Sequence, residues 1–346
     1  MTQHTSRIYG EQQLSTVERH QDRLLGSAPC YTLSQLAKKA GTTEEIASEF
    51  WLAMGFPKPE SDEVIFSEAD IEALTLGLEM IESDVIDKRT WISLLRAQSH
   101  ITDRLVLWEL EALVEDRIRR WGLDDTSARI VTLDRIMDTF GYLERHLGYA
   151  RRRQMSALLS RIDAEVSHRG DDSATPEMYP LLRSLGFVDM VAYTRRSADL
   201  GASALGSLVE AFDTTARNTI TASGARLVKS IGDAVLYIAD DLETGAETAL
   251  NLMEELEAVP EMLSVRASLV YGHVLSRSGD IFGPPVNIAS RLVDVASPST
   301  VLMDEGTAKN LRAMRGFERY VVNEHGVEVL KGVGEIRSFT LERNKP

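Results

Sequence analysis

Six polar residues in the C-terminal half of this 346-residue chain have the types and spacing that phosphoryl transfer on a nucleotide requires. They lie in the segments G-F-V-D-M-V-A-Y-T (186–194), K-S-I-G-D-A-V-L (229–236) and D-I-F-G-P-P-V-N-I-A-S-R (280–291). The six are Asp189, Lys229, Asp233, Asp280, Asn287 and Arg291. Two carboxylates can hold a pair of divalent metal ions, and the other side chains can bind a base, a ribose and a phosphate.

Each of these residues also has an ordinary structural explanation. Asp189 follows Gly-Phe-Val and could be a solvated aspartate at a strand end. Gly232-Asp233 between two apolar runs is typical of a hairpin turn. Lys229 could lie on an exposed strand, and Asn287 could cap a helix. Only the ordered set favours a functional interpretation.

The composition is that of an ordinary soluble globular protein, with 43% apolar and 26% charged residues. The formal net charge of -15 argues against a nucleic-acid binder and against an anionic membrane surface. The first residues lack the apolar region of a secretion signal, and no apolar run reaches the roughly 18 residues that span a bilayer. Cys30 is the single cysteine, so no intrachain disulfide can form. We therefore expect a cytoplasmic protein.

The pattern along the chain predicts four segments. Residues 1–30 are polar and unpatterned. Residues 31–168 have helical periodicity almost throughout, which predicts an all-α domain that ends in a linker helix around 142–162. Residues 169–180 are a Gly/Ser/Pro-rich linker, and residues 181–346 alternate short β-like runs with helical stretches.

The C-terminal segment is expected to be an α+β domain, with helices packed on a mostly antiparallel sheet. Its predicted strands are 185–191, 226–229, 234–238, 265–270, 300–303 and 338–341. Its clearest helix has apolar residues at i, i+3, i+4 and i+7, ending at Phe212. In the N-terminal segment, Leu94, Ile101 and Trp108 recur at helical spacing, and we expect these apolar side chains to pack in a core.

The C-terminal segments resemble the catalytic domain of the class III nucleotidyl cyclases. The shared pattern is an aspartate after Phe-Val in F-V-D-M-V-A-Y-T, a lysine four residues before the aspartate of K-S-I-G-D, and an aspartate seven residues before the asparagine of V-N-I-A-S-R. The stretches 266–274 and 330–339 are also similar to the family, so the resemblance covers about 180–342. It implies the ferredoxin-like nucleotidyl cyclase fold. Two departures are Ala192-Tyr193 in place of Gly-Phe, and Pro284-Pro285, which is expected to stiffen a loop.

The resemblance implies a role for each candidate residue. Asp189 and Asp233 would hold two Mg²⁺ or Mn²⁺ ions, for which oxygen ligands are suited. One ion would activate the ribose 3′-hydroxyl, and the other would stabilise the departing pyrophosphate. Asn287 would orient the ribose, and Arg291 would neutralise charge at the α-phosphate. Lys331 would contact the triphosphate tail.

Lys229 and Asp280 would then select the base. Adenine offers an acceptor at N1 and an amino donor at N6, which match a lysine donor and an aspartate acceptor. Guanine reverses this polarity, and a site built on hydrogen bonds rejects a reversed pattern strongly. The resemblance therefore implies ATP as the substrate.

In the family, the metal aspartates come from one catalytic domain and the base, ribose and phosphate residues come from its partner. A chain that carries both sets is expected to form a head-to-tail homodimer with two composite sites. The sequence thus predicts an adenylate cyclase that converts ATP to 3′,5′-cyclic AMP and pyrophosphate. The alternatives are a guanylate cyclase and a non-catalytic nucleotide-binding sensor.

The N-terminal segment resembles the regulatory domain of soluble actinobacterial cyclases. The resemblance rests on Y-T-L-S-Q-L-A-K-K-A-G, F-W-L-A-M-G-F-P and I-F-S-E-A-D-I-E-A-L within 31–74, and on Y-L-E-R-H-L (142–147) and R-R-R (151–153) farther along the chain. The first part also looks like a MerR-type helix-turn-helix, which would imply a DNA-binding regulator. The acidic stretch 58–87 lacks a basic recognition helix, which argues against nucleic acid as a partner.

A regulatory domain implies an effector. His146 lies beside Arg145 and near Arg151–Arg153, so it could sense protons, or it could be an ordinary exposed helix histidine. The apolar helices could enclose a lipid or could pack as a dimer core. In either case, movement of the helix around 142–162 would change the separation of two catalytic domains.

Overall fold

The computed structural model describes residues 16–168, 181–193 and 200–344. The chain divides into two compact units, Met1–Asp171 and Asp172–Pro346. The linker predicted for 169–180 lies outside the described residues. Among the described helices, none is long and apolar enough to cross a membrane.

The described part of the first unit is helical apart from one backbone bridge between Tyr31 and Phe66, which confirms the all-α prediction. Its helices are α1 (Thr16–Leu25), α2 (Leu33–Lys39), α3 (Glu44–Ala53), α4 (Glu68–Glu82), α5 (Lys88–Trp121), α6 (Asp125–Asp134) and α7 (Ile136–His168). Helix α1 lies in the N-terminal segment that we expected to be unpatterned. The predicted linker helix is the middle of the longer α7.

Polar side chains mark where these helices begin. The Thr32 hydroxyl accepts a hydrogen bond from the backbone N–H of Gln35, whose side chain accepts from the backbone N–H of Thr32, so the two form a capping box. Asp87 Oδ1 accepts from the backbone N–H of Thr90 at 2.7 Å, at the start of α5. Such caps satisfy N–H groups that have no partner inside the helix.

The core of the first unit is small and lies among α2 to α5. Phe50 and Trp91 are buried and stack with their ring centroids 6.0 Å apart. Farther along α5, Leu94, Ile101 and Trp108 are 47%, 65% and 60% exposed. In the single chain these three side chains are therefore outside the core, whereas Val114 farther along α5 is buried. Packing in a dimer core stays a prediction.

The second unit is an α+β domain, as predicted. Its elements are β1 (Leu181–Met190), α8 (Ala202–Ala222), β2 (Arg226–Ile231), β3 (Ala234–Ala239), α9 (Leu242–Glu257), β4 (Val265–Arg277), β5 (Asp280–Phe282), α10 (Pro284–Val295), β6 (Val301–Asp304), α11 (Glu305–Ala313), a 3₁₀ turn (Phe317–Arg319), β7 (Tyr320–Leu330) and β8 (Gly334–Arg343). The strand order is β2-β3-β1-β4-β6-β8-β7, with β5 paired to β4. The pairing is antiparallel throughout except between β4 and β6. Strands β5 and β7 were not predicted.

The two faces of the sheet have separate cores, because successive strand residues point to opposite sides. Val188 and Tyr237 are buried on the face covered by α8, α9 and α11. Phe187 and Leu236 are buried on the other face, where Leu292 of α10 packs. Asp189 lies two residues after Phe187, so its side chain is on the face covered mainly by α10.

Pro284 and Pro285 open α10 instead of stiffening a loop, which corrects the expectation from the sequence. A proline at the first helical positions loses nothing, since the N–H groups there have no helical partner. The start of the helix lies close to the sheet. A Cβ at Gly272 on β4 would be only 2.7 Å from Pro285 Cγ. The short spacing from β5 to α10 fixes where Asn287 and Arg291 lie.

Candidate active site

Asp189 and Asp233 lie at the same end of adjacent strands. Asp189 is the penultimate residue of β1 and is paired with Ala234, the first residue of β3. Asp233 precedes it in the two-residue turn from β2 to β3, where Gly232 has a φ of +62°. The backbone N–H of Met190 donates to the Asp233 carbonyl at 3.1 Å. The pairing therefore brings the two predicted metal ligands together.

Arg266 holds the Asp189 carboxylate from the other side. It lies on β4, directly opposite Asp189. Its Nη2 and Nε donate to Asp189 Oδ2 at 2.7 and 3.0 Å, and its Nη1 donates to the Asp294 carbonyl at 2.6 Å. The sequence pattern did not single out Arg266, although it opens the family-like stretch 266–274. The missing signal was the cross-strand register, which a single sequence does not supply.

The carboxylates at this strand end suit a hard cation. Burial raises the pKa of Asp189, the neighbouring Asp233 and Asp294 carboxylates raise it further, and Arg266 only partly offsets these effects. A divalent ion would relieve that accumulation of negative charge through oxygen ligands. In the described part of the chain, no group of three or more His, Cys, Asp and Glu side chains is placed to hold a metal ion. An ion held by these two aspartates would therefore need further ligands, such as phosphate oxygens.

Lys229 and Asp280 form a close ion pair. Lys229 is on β2, Asp280 opens β5, and Lys229 Nζ lies 2.6 Å from Asp280 Oδ2. The other oxygen of Asp280 accepts from the backbone N–H of Ile281 at 2.8 Å. Burial raises the pKa of Asp280, but these two contacts outweigh burial and lower the pKa. The predicted pair thus presents one cationic donor and one ionised acceptor at the same place.

Two exposed apolar side chains flank this pair. Ile231 lies two residues after Lys229, and Phe282 lies two residues after Asp280, so each shares a strand face with its charged neighbour. Ile231 is 51% exposed and Phe282 is 48% exposed. Flat apolar contact beside paired polar groups is what a purine base requires. In the sequence, the alternation in K-S-I and D-I-F is the pattern that indicates these two side chains.

Asn287 and Arg291 lie one turn apart on the exposed face of α10. Arg291 Nη1 lies 3.2 Å from Asp294 Oδ2, farther along the same helix. Lys331 is exposed in the turn between β7 and β8, next to the buried Leu330. Among the described residues, no hydrogen bond or ion pair joins these three side chains to the two aspartates at the end of β1 and β2. None joins them to the Lys229–Asp280 ion pair either.

His146 is exposed on α7. The guanidinium of its neighbour Arg145 lies 4.9 Å from the centroid of the Tyr142 ring. This contact concerns the arginine and adds nothing for or against proton sensing, which stays a prediction.

Comparison with known proteins identifies the family to which the chain belongs. Residues 183–343 match the family of adenylate and guanylate cyclase catalytic domains. An adenylate cyclase of Glutamicibacter nicotianae is 37% identical over 335 residues, which are 94% of this chain and 82% of that protein. An adenylate cyclase of Streptomyces coelicolor is 35% identical over 290 residues, which are 83% of this chain and 73% of that protein. Among solved structures, the catalytic core of a rhodopsin-guanylyl cyclase with converted specificity, in complex with ATPαS, has a TM-score of 0.44 and 20% identity, covering 48% of this chain and 97% of that one.

Ala192, which follows the β1 strand end, has a φ of +59°. A left-handed alanine costs about 1–2 kcal/mol, more than the roughly 0.4–1 kcal/mol of chain entropy that glycine adds to the unfolded state. We therefore expect Ala192→Gly to raise the unfolding free energy of the second unit by about 0.5–1 kcal/mol, measured by urea denaturation. Ala258→Gly, at a position with a φ of -77°, is the control and should not stabilise. If the Ala192→Gly protein is no more stable than the parent, the backbone at Ala192 is not strained.

Proposed function

Because this chain belongs to the class III adenylate cyclases, we propose that it converts ATP to 3′,5′-cyclic AMP and pyrophosphate at a site shared between two copies of the chain. The observation that carries the proposal is the contact of Lys229 Nζ with Asp280 Oδ2 at 2.6 Å. A donor and an acceptor held side by side on β2 and β5 form the complement of the adenine edge. The lysine would donate to N1, and the aspartate would accept from the N6 amino group.

The polarity of this pair favours ATP over GTP. Guanine has a donor at N1 and an acceptor at O6, so it would face the lysine and the aspartate with like groups. Buried partners left unpaired in this way cost several orders of magnitude in kcat/KM. Ile231 and Phe282 would contact the two faces of the base, a contribution that either purine receives.

The reaction forms a bond between the ribose 3′-oxygen and the α-phosphorus, and it breaks the bond from that phosphorus to the bridging oxygen of pyrophosphate. The proton of the 3′-hydroxyl passes to solvent water. Two divalent ions bound by Asp189 and Asp233 would lower the pKa of that hydroxyl and neutralise the departing pyrophosphate. The residues of the chain supply orientation and fixed positive charge.

Three cationic side chains would act on the phosphates. Arg291 would neutralise charge at the α-phosphate, with Asn287 one turn away orienting the ribose. Lys331 would contact the triphosphate tail from the β7–β8 turn. Arg266, which bonds the Asp189 carboxylate, lies where the phosphates must approach that carboxylate, and its guanidinium can bind a phosphate in the same way.

A shared site accounts for the separation of the two residue sets in the chain. Asn287 and Arg291 are exposed on α10, and their described contacts include neither Asp189 nor Asp233. A second copy related by a two-fold axis would present its own α10 to these aspartates, and it would do so twice. The homodimer would therefore have two equivalent composite sites.

Purified full-length protein with Mn²⁺ is expected to produce cyclic AMP from ATP, with far lower conversion of GTP, as measured by chromatography of the products. Asp233→Ala should reduce the rate by on the order of a hundredfold or more, the scale for loss of a charge-stabilising group. Asp240→Ala removes an exposed carboxylate after β3 and should leave the rate nearly unchanged. Faster conversion of GTP would indicate a guanylate cyclase, and equal rates would indicate an unselective enzyme. Failure to form a cyclic product would indicate a nucleotide-binding sensor.

Asp189→Ala and Arg291→Ala chains should each be inactive alone and should recover activity when they are co-expressed. In a mixed dimer, one of the two composite sites retains both an intact Asp189 and an intact Arg291. About a quarter of the wild-type rate is expected from random pairing, since half of the dimers then have one of two sites. The control is a mixture of Asp189→Ala with Asp233→Ala, whose defects fall on the same half-site. If neither mixture regains activity, the shared site is wrong.

We further propose that the N-terminal helical unit controls the rate. Its α7 carries His146 on an exposed surface, and its exposed apolar side chains offer contacts for a lipid or for a second copy. A truncated chain of residues 170–346 should differ from the full-length protein in the dependence of its rate on pH between 5 and 8 or on added fatty acid. Activity measured side by side decides this point. Superimposable profiles in all conditions would remove the regulatory role.

A further inference from the structure

The lysine of the candidate base site lies on a strand that its own sheet holds weakly. Strand β2 is the last strand of the sheet, and β3 is its ladder partner. The pairing register shifts between Leu227 and Lys229, immediately before the lysine that contacts Asp280. Edge strands and bulges are the positions at which a sheet is most easily deformed. Something outside the ladder must fix Lys229 if its contact is to select a base.

A hydroxyl next to Lys229 is tied to helix α8. Ser230 Oγ donates to Asp213 Oδ1 at 2.7 Å and accepts from Arg217 Nη2 at 3.2 Å. Arg217 Nε also donates to the other oxygen of Asp213, one helical turn away, so the three side chains form a closed network. Hydrogen bonds with charged partners are the stronger class, and this hydroxyl has one on each side. We name this network the α8–β2 clamp.

The helical side of the clamp is rigid. Phe212 and Ala216, which neighbour the two charged residues on α8, are buried in the core beneath the helix. Asp213 and Arg217 therefore extend from a helix whose position is set by packing. A side chain bonded to them takes its position from the core of the domain.

Ser230 and Lys229 point to opposite sides of the sheet. Ser230 is paired with Val235, whose side chain belongs to the core beneath α8 and α9. Lys229 is paired with Leu236, which belongs to the core on the α10 side. The clamp thus holds the main chain from one face while the lysine amine reaches Asp280 on the other. A shift of the backbone at Ser230 would displace the lysine.

We propose that Asp213, Arg217 and Ser230 are positioning residues that set the base selectivity of this enzyme by fixing Lys229 against Asp280. This inference rests on the proposed function, because it assigns a role within adenine recognition. The metal half of the site has its own restraint, since the Met190 N–H holds the Asp233 carbonyl at 3.1 Å. Loss of the clamp should therefore weaken base recognition more than it weakens the chemical step.

The test compares Ser230→Ala with Ser230→Thr, which restores a hydroxyl, in the full-length protein with Mn²⁺. Ser230→Ala is expected to raise KM for ATP about tenfold and to lower the preference for ATP over GTP by a similar factor, with kcat within about twofold. A tenfold change corresponds to about 1.4 kcal/mol. Ser230→Thr should restore both values.

Ser223→Ala is the matched control. Ser223 is also a half-buried serine, and its hydroxyl joins α8 to α9 by accepting from Asn251 Nδ2 at 3.0 Å, away from β2. The Ser223→Ala variant should have the same KM for ATP and the same preference for ATP over GTP as the parent protein. An equal change in Ser223→Ala, or a change in kcat alone in Ser230→Ala, would overturn the proposal, because both outcomes indicate a general structural role.

Direct binding separates this inference from the proposed function. Affinities for α,β-methylene analogues of ATP and GTP, in which the bond that the reaction breaks is replaced, are measured with the parent and with Ser230→Ala. If the parent binds ATP selectively but forms no cyclic AMP, the proposed reaction fails while selectivity can still be compared. Unchanged selectivity in Ser230→Ala would overturn the clamp alone. Should Ser230→Ala fail to fold, Asp213→Asn, which keeps the shape of the side chain, is measured under the same criteria.

Discussion

The position of β1 between β3 and β4 is the constraint on which the candidate site depends. The register between β1 and β3 sets Asp189 opposite Ala234, next to Asp233. The register between β1 and β4 sets Asp189 opposite Arg266. A slip of one residue in either pairing would move the carboxylate to the opposite face of the sheet. The register is protected because Val188 and Phe187 are buried in different cores on the two faces. The hydrophobic packing of β1 therefore also determines the electrostatics at its end.

Local patterns in the sequence were sufficient for much of this architecture. The all-α first unit, the α+β second unit and the helix through Phe212 follow from periodicity and capping residues. Strand β5 was missed because it has three residues, too few for a periodic signal. Strand β7 was missed because it is an edge strand with polar residues and a bulge near Gly326, so its apolar alternation is weak. Leu94 and its neighbours on α5 have helical spacing, which does not say what they pack against.

The same limit applies to the site. The resemblance to a known family paired Lys229 with Asp280, and the structure places the two side chains in contact. Arg266, Ile231 and Phe282 were not found, because their importance comes from neighbours that are distant in sequence or from exposure. Pro284-Pro285 was misread as a loop, since two prolines suit both a loop and a first helical turn.

Gly272 shows how a position far from any nucleotide contact can control the site. A side chain there would collide with Pro285 and push the start of α10 off the sheet. Asn287 and Arg291 would move with the helix, although neither touches position 272. Larger residues at this position would thus spare the fold of the sheet but misplace two polar groups at once. We therefore expect almost every substitution of Gly272 to reduce activity. A search limited to residues that contact the ligand would not find this position.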